Sequence, residues 1–242
     1  RTQFKSGDWG YIPAAIRDWK AVLAADPAIR KKVDPKTRKL LPLTDDVVRQ
    51  NLEGKHTIGV YPLLLDETCW FLAVDFDKKS WQDDAAAFLE TCQDLGVPAA
   101  LERSRSGNGG HVWIFFERAI PAATARKLGS LLLTRTMDRR HQLGMDSYDR
   151  FFPNQVTMPK GGFGNLIALP LQWIPRQNHN SVFLNSDFRP FPDQWRFLSS
   201  VEKMASDRVE ALVYEAMRNG SVIGVRISLT DEDDDAKPWT MP

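Results

Sequence analysis

The chain has 242 residues, 43% hydrophobic and 26% charged, the make-up of an ordinary water-soluble globular protein of one large domain or one domain with an appendage. No run approaches the ~18 or more apolar residues of a membrane span, and two cysteines (Cys69 and Cys92) are too few for a disulfide scaffold or a thiolate zinc site, which points to a reducing, cytoplasmic setting. The net charge of +1 hides a mildly basic body: without the acidic run Asp231 to Asp235 and the rest of the tail, residues 1–230 carry 31 basic and 26 acidic residues, or +5, compatible with a polyanionic partner without demanding one.

Residues 1–15, with Gly7, Gly10 and Pro13, read as an irregular leader. Ala14 to Ala25 carries Ile16, Trp19, Val22 and Leu23 at amphipathic spacing and predicts a helix. Residues 26–43 mix three prolines with Lys/Arg pairs and read as surface loop; Thr44 then suits the N-cap of a short helix through Leu52. From residue 56 short apolar runs bounded by turn residues predict strands: His56 to Leu65, Cys69 to Asp77, Ala99 to Arg103, His111 to Glu117, Leu166 to Leu171 and Ser181 to Leu184. Helical periodicity fills Gln82 to Leu95 and Pro121 to Leu143, and two more helices are expected over Pro192 to Ser206 and Asp207 to Asn219. The class is therefore α+β or α/β, built around a sheet with helices on at least one side. The tail after Ile227 is acidic and proline-bearing, a linker composition, and with no initiating Met the chain reads as a domain cut from something longer.

Three stretches could carry chemistry. In Trp70-Phe71-Leu72-Ala73-Val74-Asp75-Phe76-Asp77, strand alternation sends Asp75 and Asp77 to one face, with Cα atoms roughly 6.5–7 Å apart, and Trp70, Leu72, Val74 and Phe76 to the other. Paired carboxylates repel, and a hard divalent cation or a proton relieves them; a solvated turn into Lys78 and Lys79 is the plain alternative. The second stretch, Glu102-Arg103-Ser104-Arg105-Ser106-Gly107-Asn108-Gly109-Gly110-His111, is a strand end followed by a glycine-rich loop and a strand headed by histidine. Such a loop lets backbone N–H groups approach an anion, with Arg103 and Arg105 as charged donors; on its own it is equally a hairpin turn. The third runs from Gly144 to Gln172 and holds Asp146, Asp149, Arg150 and a second glycine-rich segment from Lys160 to Asn165. Either acid alone could be a cap or a surface charge. Trp81 and Phe151 could stack on bases but read more simply as core.

As an ordered set, these motifs resemble the archaeo-eukaryotic primase superfamily: an acidic pair (Val74-Asp75-Phe76-Asp77), a small residue-x-His (Gly109-Gly110-His111) and a hydrophobic residue before an acid (Tyr148-Asp149, with Met145-Asp146 as the alternative). DETCWFLAVDFD, ALERSRSGNGGHVWIFF, SYDRFFPNQ and GGFGNLIALPLQ are similar to the primase-polymerase domain of TOTE conflict systems, over roughly residues 56–204. The resemblance implies an α+β primase core (RRM-like, mixed central β-sheets flanked by helices) over residues 56–227, a mainly helical appendage over 1–55, and an acidic linker over 228–242 leading to a helicase region of the full-length protein.

It further implies a nucleotidyltransferase, a DNA or RNA primase-polymerase of replication, repair or a mobile conflict system. Such an enzyme joins an NTP or dNTP to a primer 3′ hydroxyl or an initiating nucleotide on a single-stranded or primed DNA template, by two-metal catalysis with Mg2+ or Mn2+. Asp75, Asp77 and Asp149 would be catalytic and hold the metal. His111, Ser106, Asn108, Arg103, Arg105, Gly109, Gly110 and Lys160 would bind nucleotide, with Gln172 and Arg176 as weaker candidates. Two departures stand out. Gly109 replaces the usual Ser, so its hydroxyl contact is lost or supplied by Ser106, and residues 1–55 lack the relatives' cysteine cluster, so no zinc is expected. A metal-dependent nuclease and an inactive nucleic-acid-binding module are the competing readings.

Overall fold

The protein is described by a computed structural model covering residues 2–3, 5–7, 9–139, 145–159 and 163–219. In chain order its elements are β1 (Thr2–Gln3), β2 (Trp9–Gly10), β3 (Ala15–Ile16), α1 (Trp19–Ala24), α2 (Arg30–Thr37), β4 (Lys39–Leu40), α3 (Asp45–Leu52), β5 (Gly59–Val60), β6 (Thr68–Phe76), α4 (Trp81–Asp94) and β7 (Ala100–Arg103). There follow β8 (Gly110–Pro121), α5 (Ala122–Arg139), β9 (Tyr148–Phe152), β10 (Ile167–Ala168), α6 (Trp173–Arg176), β11 (Val182–Leu184), α7 (Gln194–Ser200) and α8 (Ser206–Arg218). The fold is α+β. Its centre is a five-stranded sheet in the order β11-β7-β8-β6-β9, and every neighbouring pair is antiparallel rather than mixed.

Period-two alternation in β6 and β8 creates two different faces. One carries Leu72, Val74, Phe76, Val112 and Ile114, all fully buried, beneath α4, α5 and α8. Gly129 of α5 allows that layer to sit close, because a Cβ there would stand 2.9 Å from the Phe151 ring and 3.0 Å from Leu72. The opposite face presents Phe71, Trp113, Phe115 and Phe183 at one end, under α3, β5, the Leu169 to Leu171 segment and α7, around a cavity of about 260 Å³. Asp75 and His111 lie at the other end.

The N-terminal segment is built of short helices interleaved with the β1-β2 and β3-β4 strand pairs, so a mainly helical appendage is not clearly seen. Thr44 caps α3 as expected, accepting from the Val47 N–H at 3.4 Å. Residues 26–43, read as loop, hold α2 and β4, and the strand expected from His56 shrinks to β5. The expected helices over 192–219 are separated by extended Val201 to Ala205, where Met204 bridges to Phe116 of β8. Trp70 is 51% exposed instead of joining the apolar face. A register shift in β6 between Cys69 and Phe71 breaks the alternation there. The C-terminal part of the helix expected to Leu143 and the acidic tail fall outside the described residues.

Candidate active site

Strand register assembles the site. Asp75 of β6 pairs with His111 of β8, and His111 pairs with Glu102 of β7. Directly opposed residues share a face, so one polar row crosses three strands. On the other side of β6, the pairing with β9 shifts between Val74↔Phe151 and Phe76↔Tyr148, leaving Asp149 and Arg150 together opposite Asp75. This bulge turns Asp149 toward the acidic pair. One carboxylate oxygen from each of Asp75, Asp77 and Asp149 lies within 4.8 Å of the other two. Asp149 therefore belongs to the cluster. Asp146 is exposed outside it, its main-chain carbonyl accepting from Lys78 Nζ at 2.9 Å.

The cluster is electrostatically tense. Asp75 is mostly buried, Asp77 and Asp149 are exposed, and Arg150 Nε donates to Asp149 at 2.7 Å. Burial first, then the charges of Asp77 and Asp149, push the Asp75 carboxyl up to about 6, against the opposing pull of His111 and Arg150. Three oxygens this close suit a hard divalent cation, which prefers carboxylate ligands and removes their repulsion.

His111 is held from behind. Its Nδ1 lies 3.0 Å from Glu102 Oε2 and its Nε2 lies 3.5 Å from Asp75 Oδ1. Burial works against the imidazolium, but Glu102, by charge and hydrogen bond, and then Asp75 and Asp77 outweigh it, so His111 sits above its ordinary value.

The loop between β7 and β8 closes on itself. Ser104 N–H donates to the Gly109 carbonyl at 2.9 Å, and Gly107 N–H to the Ser104 carbonyl at 3.0 Å. Ser106 Oγ accepts from the Asn108 N–H at 3.2 Å and lies 3.1 Å from Ser104 Oγ. The glycine in place of serine at 109 has a local cause: a Cβ there would stand 2.5 Å from Asp77 Oδ1 and from the Phe76 carbonyl. Gly110 is equally confined, its Cβ position lying 2.6 Å from the Trp81 ring.

The remaining expected site residues have varied surroundings. Arg103 follows Glu102 and so projects to the opposite face, where its guanidinium donates to the carbonyls of His179 and Phe188 at 3.2 and 2.9 Å. Arg105 is half-buried in the loop. Gln172 is buried, capping α6 through Ile174 N–H and donating to the His56 carbonyl. Arg176 lies over the Trp173 ring. Trp81 and Phe151 are buried core residues. Lys160 lies outside the described residues.

Three positioning groups escaped the sequence reading. Glu102 looked like the polar end of a strand. Asp84, in the first turn of α4 and only 1% exposed, accepts from the N–H and Oγ of Ser147. The Ser147 carbonyl in turn accepts from the Asp77 N–H at 2.7 Å, tying the approach to β9 to the end of β6. A polar residue on an otherwise apolar helix face was the available signal for Asp84.

The antiparallel sheet thus bears three convergent carboxylates beside a buried histidine on one face, with helices stacked on the other. The chain belongs to the archaeo-eukaryotic primase family: the sequence model described as "TOTE conflict system, Archaeo-Eukaryotic Primase domain" matches residues 1–212. Membership implies nucleic-acid and nucleotide substrates and the divalent metals such domains typically use. No curated protein matches the chain. Among the described residues, no helix is long and apolar enough to cross a membrane.

Proposed function

We propose that this domain is a primase-polymerase: it transfers a nucleotidyl group from an NTP or dNTP to a primer 3′ hydroxyl or an initiating nucleotide, directed by a single-stranded or primed DNA template. The observation that carries this reading is the convergence of Asp75, Asp77 and Asp149 within 4.8 Å, beside His111. Asp75, Asp77 and Asp149 would hold Mg2+ or Mn2+, which when bound supplies charge stabilisation at the attacking and leaving oxygens. His111, whose Nε2 is turned toward the acids, would donate to the triphosphate. The Ser106 to Gly110 loop lies beside it, with Asn108 exposed at its tip, and would complete the anion site. Arg105 and Lys160 are further phosphate contacts in this reading. Arg103 is left out, because its guanidinium braces two loop carbonyls on the other face.

Residues 56–227 form the catalytic unit in this proposal. Residues 1–55 are an N-terminal appendage whose α3 lines the cavity at the apolar end of the sheet through Val48, Asn51 and Leu52, and 228–242 link to a downstream helicase region in a cytoplasmic protein. Primer extension with labelled NTPs or dNTPs and Mg2+ or Mn2+ tests the core of it. Extension by the wild type and none by Asp75→Ala/Asp77→Ala is the expected outcome; unchanged extension by the double variant refutes the assignment.

A further inference from the structure

Glu102 has no task in the reaction just proposed, yet its surroundings are built around it. It sits in the middle of the sheet, 2% exposed, where an uncompensated carboxylate is costly and an apolar side chain would pack. Its oxygens are all addressed: Oε2 accepts from Trp113 Nε1 at 2.9 Å and faces His111 Nδ1 at 3.0 Å, while Oε1 takes a longer bond from Ser181 Oγ at 3.4 Å. An ionised carboxylate only accepts, so Nδ1 must be the donor in its pair with His111. Trp113 and Ser181 fix the carboxylate, and the carboxylate fixes the ring. Phe152 meets the ring edge-on at 6.4 Å between centroids and restricts it further. The remaining nitrogen, Nε2, is thereby aimed at the acidic cluster, 3.5 Å from Asp75.

We infer that Glu102 is a positioning residue: it locks the His111 imidazole with Nε2 presented to the site, so that the ring meets the anionic part of the nucleotide without reorganising. Where an imidazole is a metal ligand, losing the carboxylate that orients it through its second nitrogen typically costs ~10–100-fold in affinity or activity, and Glu102 stands behind His111 in the same geometry. The inference rests on the nucleotidyl-transfer reading for its consequence, but not for its geometry.

The test uses Glu102→Gln, which keeps the volume and an acceptor for Trp113. Proton–nitrogen NMR of the imidazole should show a hydrogen-bonded, far-downfield Nδ1 proton in the wild type that moves upfield in E102Q, whose neutral amide oxygen is a weaker acceptor than a carboxylate. In primer extension the KM for nucleotide should rise ~10-fold or more while kcat changes less, and Mn2+ binding at the triad should be retained. Where E102Q fails to fold, Trp113→Phe carries the test: it frees Glu102, keeps a ring in place, and should weaken the same proton signal and raise the same KM. An unchanged Nδ1 signal and nucleotide KM in the folded variant overturns the inference. A wild type that shows the Nδ1 signal but extends no primer would sink the transfer reading and leave the positioning of His111 standing.

Discussion

Glu102 and Asp149 are carboxylates at the two ends of one line of side chains across the sheet, and their surroundings differ in every respect that matters chemically. Glu102 is sealed between β8 and β11, with donors on both oxygens. Asp149 is exposed on edge strand β9, next to two other acids, with Arg150 as an ion-pair partner. The sealed end is satisfied and rigid. The open end gathers like charges, and Asp75, between the two, carries the strain as a carboxyl raised to about 6. In the proposed reading, stability is given up where a cation and a nucleotide would need access, and is recovered where a ring needs fixing.

The largest effect expected from breaking this contrast is at Asp75. Asp75→Asn should lower metal-dependent nucleotidyl transfer by ~10³-fold or more. It should also stabilise the metal-free protein on the order of 2 kcal/mol, because it removes a carboxylate that burial and two neighbours disfavour. Primer extension and urea unfolding check the two halves, and a destabilised variant would mean the cluster is not strained. Asp84→Ala should cost about 2–4 kcal/mol, since it strips the partner from the buried N–H and hydroxyl of Ser147. It should also weaken Mn2+ binding by freeing the segment that holds Asp149 beside Asp77, measurable by calorimetry on the folded fraction.

Gly109→Ser sharpens the comparison from the open side. The added Cβ cannot occupy its place 2.5 Å from Asp77 Oδ1 without moving it, so Mn2+ affinity should fall ~10-fold at a stability cost of about 1–2 kcal/mol. Retained affinity would show that Asp77 can retreat and still bind. The smallest effect is expected far from the charges: Val48→Ile, facing the cavity of about 260 Å³ beside Phe71 and Trp113, should add roughly 0.5–1 kcal/mol by thermal or urea unfolding and leave extension unchanged.

Much of this arrangement was legible in the chain itself. Asp75 and Asp77 advertise a shared face because strand alternation is local, and His111 after a glycine loop is conspicuous at the head of an apolar run. The third acid was ambiguous because β9 (YDRFF) is a short edge strand whose polar half reads as loop. The bulge that selects Asp149 over Asp146 exists only in the pairing with β6. Arg103 was assigned to the anion site from proximity along the chain, although the same alternation that aims Glu102 at His111 sends Arg103 to the far face. Trp70 failed for the related reason that a bulge interrupts the period on which its burial was inferred.

What the sequence determined by itself was the alphabet of the site: which residues are acids, which strand carries two of them in step, and where glycine lets the backbone turn before the histidine. These follow from backbone geometry over a few residues. The tertiary structure alone decided which side chains meet. Strands distant in sequence must be laid in register before Glu102 finds His111, Ser147 finds Asp84, or Asp149 finds Asp75, and that register is set by packing α4, α5 and α8 on one face of the sheet, information spread over the whole core rather than held in any motif.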